Sequence, residues 1–571
     1  MQHIARLLPL PAWGSHYFAH RATTSPSTPA IAPYKAVVAV ALWMATVCNF
    51  ALWQQVAQLP GGHGLYGWAF IAAFMVAVAA GNTALLALVA WGRWLKPAAS
   101  VLVVTAACGA YFMQAYGITI DPGMVTNALQ TDAAETRDLV SAKMLLSVLA
   151  MAGPALWWLW RQPLRSLPAL RQAAHNGLLL AAALAVLALS VLLVYQDFAS
   201  NMRNHKHLRY MVNPLNSVYA LGHVATQPLR MDTHTIVPIG RDAQLGASYA
   251  QQQRPPLIVL VLGETGRSGN FGINGYARNT TPELAARQDI ISARNAWSCG
   301  TSTAASVPCM FSHLGKAGFE SRSANFENLL DVLSHAGLAV LWVGNQAGCK
   351  EVCNRIPNAH APTQGPAELC QDGECLDTTM LQDLDERIAA LPAEKTARGT
   401  VVVLHQMGSH GPAYFKRSAA SRKAFMPECM SIQLQDCTSA QVGNAYDNSI
   451  VETDHLLGQV LQWLQARSGR ADTAMLYVAD HGESLGENGL YLHGLPYSLA
   501  PDVQKHVPWV AWLSPAMQSR NRTSTPCLQK EWAQRHITHD AYFHSVLGLL
   551  DVNTSVYQAQ QDIWNTCRQH S

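Results

Sequence analysis

Three apolar, β-branched runs in the second half of the chain end in residue types that bind metals. Leu257–Leu262 leads into Gly263-Glu264, Val401–Leu404 into His405 with His410 shortly after, and Met475–Val478 into Ala479-Asp480-His481-Gly482-Glu483. In an open parallel sheet ligands bind beyond the carboxyl ends of the strands, so side chains converge from these positions. Singly, a strand-end Asp is more often a turn or cap residue. Glu, Asp and His gathered at one sheet edge make an oxygen- and nitrogen-rich site that suits zinc. A fourth piece, Cys299-Gly-Thr-Ser-Thr-Ala-Ala-Ser306, is a small-residue turn running into a helix. A hydroxyl there sits where backbone amides and the helix dipole favour phosphate, and an ordinary Ser/Thr cap would stand in the same place. An alcohol is a weak nucleophile at neutral pH, and bound Zn²⁺ lowers its pKa while polarising a phosphoryl oxygen. Glu264, a threonine, Asp480 and His481 would then form one four-coordinate site for phosphoryl transfer.

These residues need a scaffold. From Pro255 onward, short strands such as Leu338–Val343 and Val507–Val510 join the three above, separated by helical segments. Near-continuous apolar strands alternating with helices predict a mainly parallel sheet covered on both faces. The stretch 446–466 places Ile450, Leu457, Val460, Leu461 and Leu464 on one helical face. The expectation for 250–571 is an α/β domain, with no internal repeat.

The first part of the chain is different in kind. Only 13% of the 571 residues are charged, against roughly 25% in ordinary soluble domains, and residues 1–200 hold just 15 of the 75 charges. Five runs, about 36–55, 66–91, 98–116, 143–160 and 177–195, reach the length of roughly 20 residues that a bilayer requires. They predict a five-helix transmembrane domain over 36–196. It follows a flexible cytoplasmic leader, 1–35, rich in Ser, Thr and Pro. Lys and Arg are retained on the cytoplasmic side: Arg6, Arg21 and Lys35, then Arg93 and Lys96, then Arg161, Arg165 and Arg171 fall in alternate segments. Five crossings from an inside N-terminus put everything after about Asp197 outside. A bridging linker with interfacial helices, 197–249, carries Arg203, His205, Lys206, His207 and Arg209, which can meet lipid headgroups.

Cysteine usage points the same way. Cys48 and Cys108 lie in apolar runs, and the other ten of the twelve cysteines follow residue 298, a pattern of disulfides in an oxidising compartment. In a bacterium that compartment is the periplasm. The net charge of +3 leaves no strong basic field, so nucleic acid is a poor candidate partner. Nothing in the sequence calls for an oligomer, and a monomer is expected.

Four long motifs then carry a resemblance: Glu264-Thr-Gly-Arg-Ser-Gly-Asn-Phe-Gly-Ile-Asn-Gly-Tyr276, the Cys299–Cys309 segment, His405-Gln-Met-Gly-Ser-His-Gly-Pro412, and Asp480-His-Gly-Glu-Ser-Leu-Gly-Glu-Asn-Gly-Leu-Tyr-Leu-His493-Gly. Together they resemble the lipid A phosphoethanolamine transferases, the family of the mobile colistin-resistance enzymes. The resemblance covers nearly everything from residue 36 and leaves out only the leader. It implies five spans followed by a periplasmic α/β domain of the alkaline phosphatase and sulfatase fold, anchored in the bacterial inner membrane. It further implies that Thr303 is the nucleophile, with Glu264, Asp480 and His481 as the zinc ligands that accompany it. His410 and His493 match histidines that hold the reacting phosphate or a second zinc, with Glu483 close by, and Lys350 matches a substrate-phosphate contact. His405 is left open between supporting a ligand and plain packing. The acidic segment with Asn127, Thr131 and Glu135 matches a lipid-headgroup site supplied by the membrane domain; the alternative reading of its pattern is a solvated amphipathic helix. The family's nearest-neighbour disulfides carry over as Cys299–Cys309, Cys349–Cys353, Cys370–Cys375 and Cys429–Cys437; by elimination, Cys527 would pair with Cys567. One stretch departs: where the family shows Trp-Arg-Asp-Asn-Asn, this chain has Trp342-Val343-Gly344-Asn345-Gln346.

The activity so implied is transfer of phosphoethanolamine from phosphatidylethanolamine, through a covalent threonine intermediate, to a phosphate of lipid A. An added ammonium makes the outer surface less anionic and weakens polymyxin binding. Two other readings stand beside it. One keeps the chemistry and moves the acceptor to a core-sugar phosphate, a heptose or another glycan. The other is a non-catalytic membrane sensor with a degenerate hydrolase-like ectodomain, against which the complete set of nucleophile and metal ligands argues. Sulfatase activity is disfavoured because no Cys-x-Pro-x-Arg sequence is present to form a formylglycine.

Overall fold

The structure, a computed structural model, describes residues 30–59, 64–131, 136, 137, 139–227, 232–250, 253–346, 348–371 and 373–569. Its first part is helical. Helix α1 runs Pro33–Ala57 with a short 3₁₀ break at Val47–Asn49, followed by α2 (Leu65–Val89), α3 (Leu95–Tyr116), α4 (Pro122–Gln130), α5 (Ala142–Arg161) and α6 (Ala169–Leu193). All but α4 are long and apolar enough to cross a membrane. Helices α2 and α6 pack along each other, as do α3 and α5, and α1 lies against α2.

One of the spans starts well before the apolar stretch that announces it. Helix α6 begins at Ala169, well before the apolar run at about 177, and two polar residues of its otherwise exposed first turns, Gln172 and Asn176, are buried. Gln172 and Asn176 both donate to the Ala90 carbonyl at 3.0 Å and bond to each other at 2.7 Å, capping the end of α2. A helix end buried without such partners would leave its carbonyls unpaired.

After α6 the chain continues through α7 (Tyr195–Asn204) and α8 (Leu215–Ala225). This return segment is fixed to the spans by a pair of buried asparagines. The Asn213 side chain donates to the carbonyls of Cys48 in α1 and Ala106 in α3, at 3.1 and 2.5 Å. Asn49 exchanges two bonds with the Asn213 backbone, at 2.6 and 2.9 Å.

The second part is built on an eight-stranded sheet. In chain order the strands are β1 (Pro256–Gly263), β2 (Ile291–Trp297), β3 (Ala339–Gly344), β4 (Asn358–His360), β5 (Thr400–His405), β6 (Asp472–Ala479), β7 (His506–Leu513) and β8 (Ile537–Thr538). Their spatial order is β8-β2-β7-β6-β1-β5-β3-β4, and only β7 runs antiparallel to its neighbours. The central strands β1, β5 and β6 are buried along their whole length, which explains their unbroken apolar sequence. Between strands lie α9 (Thr303–Met310) and the long α10 (Ser439–Gln465), whose start is closed by a Thr438/Gln441 capping box. Five disulfides join Cys299–Cys309, Cys349–Cys353, Cys370–Cys375, Cys429–Cys437 and Cys527–Cys567. Cys48 and Cys108 are unpaired thiols. The two parts share packing: Tyr111, Tyr116 and Ile118 at the end of α3 belong to the same buried apolar cluster as the sheet.

The Asn213 junction yields a prediction. Replacing Asn213 with Ala removes the two donors that hold the return segment, and a buried polar group left without its partner costs roughly 1–3 kcal/mol. The apparent Tm of the detergent-solubilised N213A protein should fall accordingly; an unchanged Tm would show that this junction is not what holds α8 to the spans.

Candidate active site

Strand register brings the site together. Gly263 of β1 pairs with Ala479 of β6, so Glu264 and Asp480 leave adjacent strands at the same level. On the other side of β1, His405 pairs with Leu262 and also with Gly344 of β3, which puts Asn345 and Gln346 on the same edge. The chain turns abruptly after Glu264. Thr265 has a left-handed backbone (φ 52°), costly for a β-branched residue. It is held from both sides: its N–H donates to Asp480 at 3.2 Å and its carbonyl accepts from the Tyr446 hydroxyl at 2.6 Å. Gly408 (φ 52°) completes the turn from the β5 side, where a Cβ would stand 2.7 Å from the Glu264 carbonyl.

Thr303 is the first residue of α9, and its hydroxyl does not cap that helix. It faces Glu264, 3.2 and 3.1 Å from the two carboxylate oxygens, and lies 3.5 Å from His481 Nε2. His481 Nε2 is in turn 3.3 Å from Glu264 and 3.5 Å from Asp480. All four residues are buried. Donor atoms about 2.0–2.1 Å from a tetrahedral zinc ion stand about 3.3 Å apart along the tetrahedron's edges, so this set has the spacing of a four-coordinate site. Two further features fit a cation: Asp480 Oδ2 is buried without a hydrogen-bond partner, and His481 Nδ1 is engaged by the Gly482 carbonyl at 2.8 Å, which turns Nε2 inward as the ligand atom.

The electrostatics agree. Burial disfavours a charged His481, but Asp480 and Glu264 outweigh it and raise the imidazolium to about 10. With no metal bound, a proton on His481 thus compensates the two buried carboxylates. His410 and His493 behave oppositely: burial, reinforced by neighbouring cationic or imidazole groups, holds both well below the ordinary histidine range. They are neutral at physiological pH and offer nitrogen lone pairs. Glu264, His410 and His493 form a second group able to hold a cation. Glu483, pushed up to about 8 by burial, lies 3.3 Å from His493 Nδ1 and orients that ring. His405 is buried edge-on against Trp342, and burial holds it down to about 3. It packs at the sheet edge rather than joining either group.

The membrane domain reaches this site. Lys350 Nζ donates to the Gln130 carbonyl at the end of α4, 3.2 Å away. Asn127 is half-buried on α4, and the Thr131 hydroxyl donates to the Asn127 carbonyl at 2.8 Å. Glu135 lies outside the described residues.

Three contributors escape sequence reasoning. Gln346, visible there only as a departure, donates its amide to Glu264 Oε2 at 2.6 Å. His539, kept neutral at about 3 by burial, accepts from the Cys299 N–H and contacts the Ala479 carbonyl, both at 3.1 Å. It therefore ties the turn before Thr303 to the strand end before Asp480. Asp377 accepts from Asn345 and from the Met407 and Gly408 amides at 2.8–2.9 Å, joining the two loops that carry Gln346 and His410. Each acts through contacts between segments distant in sequence, for which no local pattern exists.

Known proteins resemble this chain in sequence and fold. A family described as phosphoethanolamine transferase EptA/EptB matches residues 78–229, and a sulfatase family matches 256–552. The phosphoethanolamine transferase EptA of Escherichia coli (strain K12) is 38% identical over 84% of this chain and 87% of its own length. Phosphatidylethanolamine transferase Mcr-1, also from Escherichia coli, is 35% identical over 91% of this chain and 95% of its own. Among solved structures, the integral membrane lipooligosaccharide phosphoethanolamine transferase A of Neisseria meningitidis superposes with a TM-score of 0.89 at 32% identity, covering 95% of this chain and 100% of that one.

The raised His481 pKa sets a pH dependence for metal binding. Below about pH 10 the metal must displace the proton on Nε2, so each ion bound releases at least that proton and affinity weakens as pH falls. Zinc affinity, measured by chelator competition, should drop about tenfold per pH unit, or about a hundredfold between pH 8 and pH 6. A pH-independent affinity would contradict the ligand assignment.

Proposed function

Because the chain belongs to the lipid A phosphoethanolamine transferase family, within the alkaline phosphatase and sulfatase superfamily, we propose that Thr303 takes phosphoethanolamine from phosphatidylethanolamine and passes it to a phosphate of lipid A. The coarser statement needs no proposal: this is a phosphoethanolamine transferase in the membrane, with its catalytic domain in the periplasm. The observation that carries the finer reading is the Thr303 hydroxyl, buried within 3.1–3.5 Å of Glu264 and His481 at the start of α9.

In the first displacement Thr303 Oγ1 bonds to phosphorus, the bond from phosphorus to the glycerol oxygen breaks, and diacylglycerol leaves with a proton. In the second, a phosphate oxygen of lipid A bonds to the same phosphorus, the bond to Thr303 breaks, and the proton of the attacking phosphate hydroxyl passes to the Thr303 oxygen. Dividing the transfer lets two bulky lipids use one site in turn. Zinc held by Glu264, Asp480, His481 and Thr303 would lower the hydroxyl pKa and polarise a phosphoryl oxygen. Glu264 holds the Thr303 hydroxyl in place, and Gln346 holds Glu264. His410 and His493, both neutral, the first half-buried and the second buried, present nitrogen atoms to the phosphate, and Lys350 offers a positive charge at the membrane side. Asn127, Thr131 and Glu135 contact the lipid headgroup. The product carries an added ammonium on an anionic surface, so cells expressing the protein resist polymyxin and related cationic peptides.

Mass spectrometry of intact lipid A tests this directly. Cells expressing the wild type should show phosphoethanolamine on lipid A, and T303A cells none, with the circular-dichroism spectrum of the purified variant unchanged. Modified lipid A in T303A cells would remove Thr303 from the nucleophile role; modification confined to core sugars would move the acceptor.

A further inference from the structure

The loop between Cys429 and Cys437, closed by its disulfide, belongs to the catalytic domain yet is bound mainly to the membrane domain. Gln433 sits at its centre and is buried. Its Oε1 accepts from the Tyr111 hydroxyl and its Nε2 donates to the Ser141 hydroxyl, both at 2.9 Å. The Ile432 carbonyl accepts from the Tyr116 hydroxyl at 3.5 Å, and the Gln435 amide donates to the Ala115 carbonyl. Lys143 pairs with Asp436 at 2.7 Å; both are half-exposed, so this pair contributes little energy and serves mainly to fix register.

These partners fall in two places. Tyr111, Ala115 and Tyr116 are the outer end of α3, and Ser141 and Lys143 flank the start of α5. The segment joining those ends contains α4. At its far side α4 meets the active site: Gln130 receives Lys350, and Met124 lies so close to Gly494, beside His493, that a Cβ there would stand 2.8 Å from its methyl group. One short loop therefore pins both ends of the connection whose middle covers the site. A disulfide across eight positions of chain keeps that loop compact enough to reach both.

We propose that the Cys429–Cys437 loop is a docking clasp, a positioning element that sets α4 over Thr303 so that substrates presented by the bilayer reach the nucleophile. It does not touch the reacting atoms. The proposal rests on the reading that the donor is a membrane lipid.

The test uses the full-length protein and two substrates. A soluble aryl phosphodiester of ethanolamine, p-nitrophenyl phosphoethanolamine, reports chemistry at Thr303 without the membrane; phosphatidylethanolamine in vesicles reports transfer from the bilayer. The Q433A/D436A variant should keep its rate on the soluble ester within twofold and lose at least tenfold on vesicles. The single reversals K143E and D436K should each lower vesicle transfer about threefold, and the two together should restore it to within twofold of wild type. Parallel losses on both substrates, unchanged vesicle transfer, or no restoration by the double reversal would overturn the clasp. T303A in the same assays separates the two proposals: ester cleavage that survives in T303A removes the nucleophile assignment and leaves the clasp results to be read on their own.

Discussion

Two buried carboxylates, Glu264 and Asp480, set the terms for the rest of the molecule. A carboxylate removed from water is stable only when paired or bound to a cation. The protein keeps these two within contact of a single imidazole, and without metal that imidazole must carry the compensating proton. The site is consequently a cation receptacle by construction: Thr303 and His481 each stand 3.1–3.5 Å from Glu264 and from one another, and His481 stands 3.5 Å from Asp480. Preorganisation of that kind has a structural cost, visible in the left-handed Thr265 and in the glycine required at 408. The neighbouring register of β6, β1 and β5, all buried and all ending at one level, is what sustains it.

A second constraint comes from the substrates of the proposed reaction. Lipids cannot diffuse freely into a periplasmic domain, so the nucleophile has to be held near the bilayer. The structure answers with shared packing rather than a flexible tether. Tyr111 and Tyr116 sit in the apolar cluster of the sheet, and α4 packs against α9, the helix that begins with Thr303. The neutral pair His410 and His493 suits such a site. Keeping them uncharged leaves lone pairs for a metal or N–H donors for phosphate, and avoids adding cations beside His481.

Sequence alone made the five spans and the parallel sheet legible, because lipid and a doubly covered sheet both demand long unbroken apolar runs. It also made the strand-end ligands legible, since parallel strands deliver their last residues to one edge. What it could not supply were contacts made across the fold. Gln172 and Asn176 lie outside the apolar run at 177–195, yet they are buried caps on α2. His539 is 60 residues beyond the strand end it supports, and it carries no motif. Gln346 stood out only for being unlike the family; its role needed the position of Glu264. The α4 segment permitted two readings, solvated helix or lipid site, because amphipathicity does not say which surface a helix will meet.

The disulfides follow the same logic of local placement. In the chain-entropy account a loop closed over 4 residues gains about 2 kcal/mol and one closed over 40 gains about 4 kcal/mol. Cys527–Cys567 is thus the bridge with most leverage on global stability. The other four, spanning 4 to 10 positions, gain less per bond, and their positions explain them better than their energies do. Cys299–Cys309 braces the turn and helix that present Thr303; Cys349–Cys353 follows the loop of Gln346 and contains Lys350; Cys370–Cys375 precedes Asp377; Cys429–Cys437 meets the membrane domain. A site assembled from loops at a sheet edge, facing a second domain, is where such local constraint has most effect, because an error of 1 Å there separates ligand from ligand while leaving the core intact.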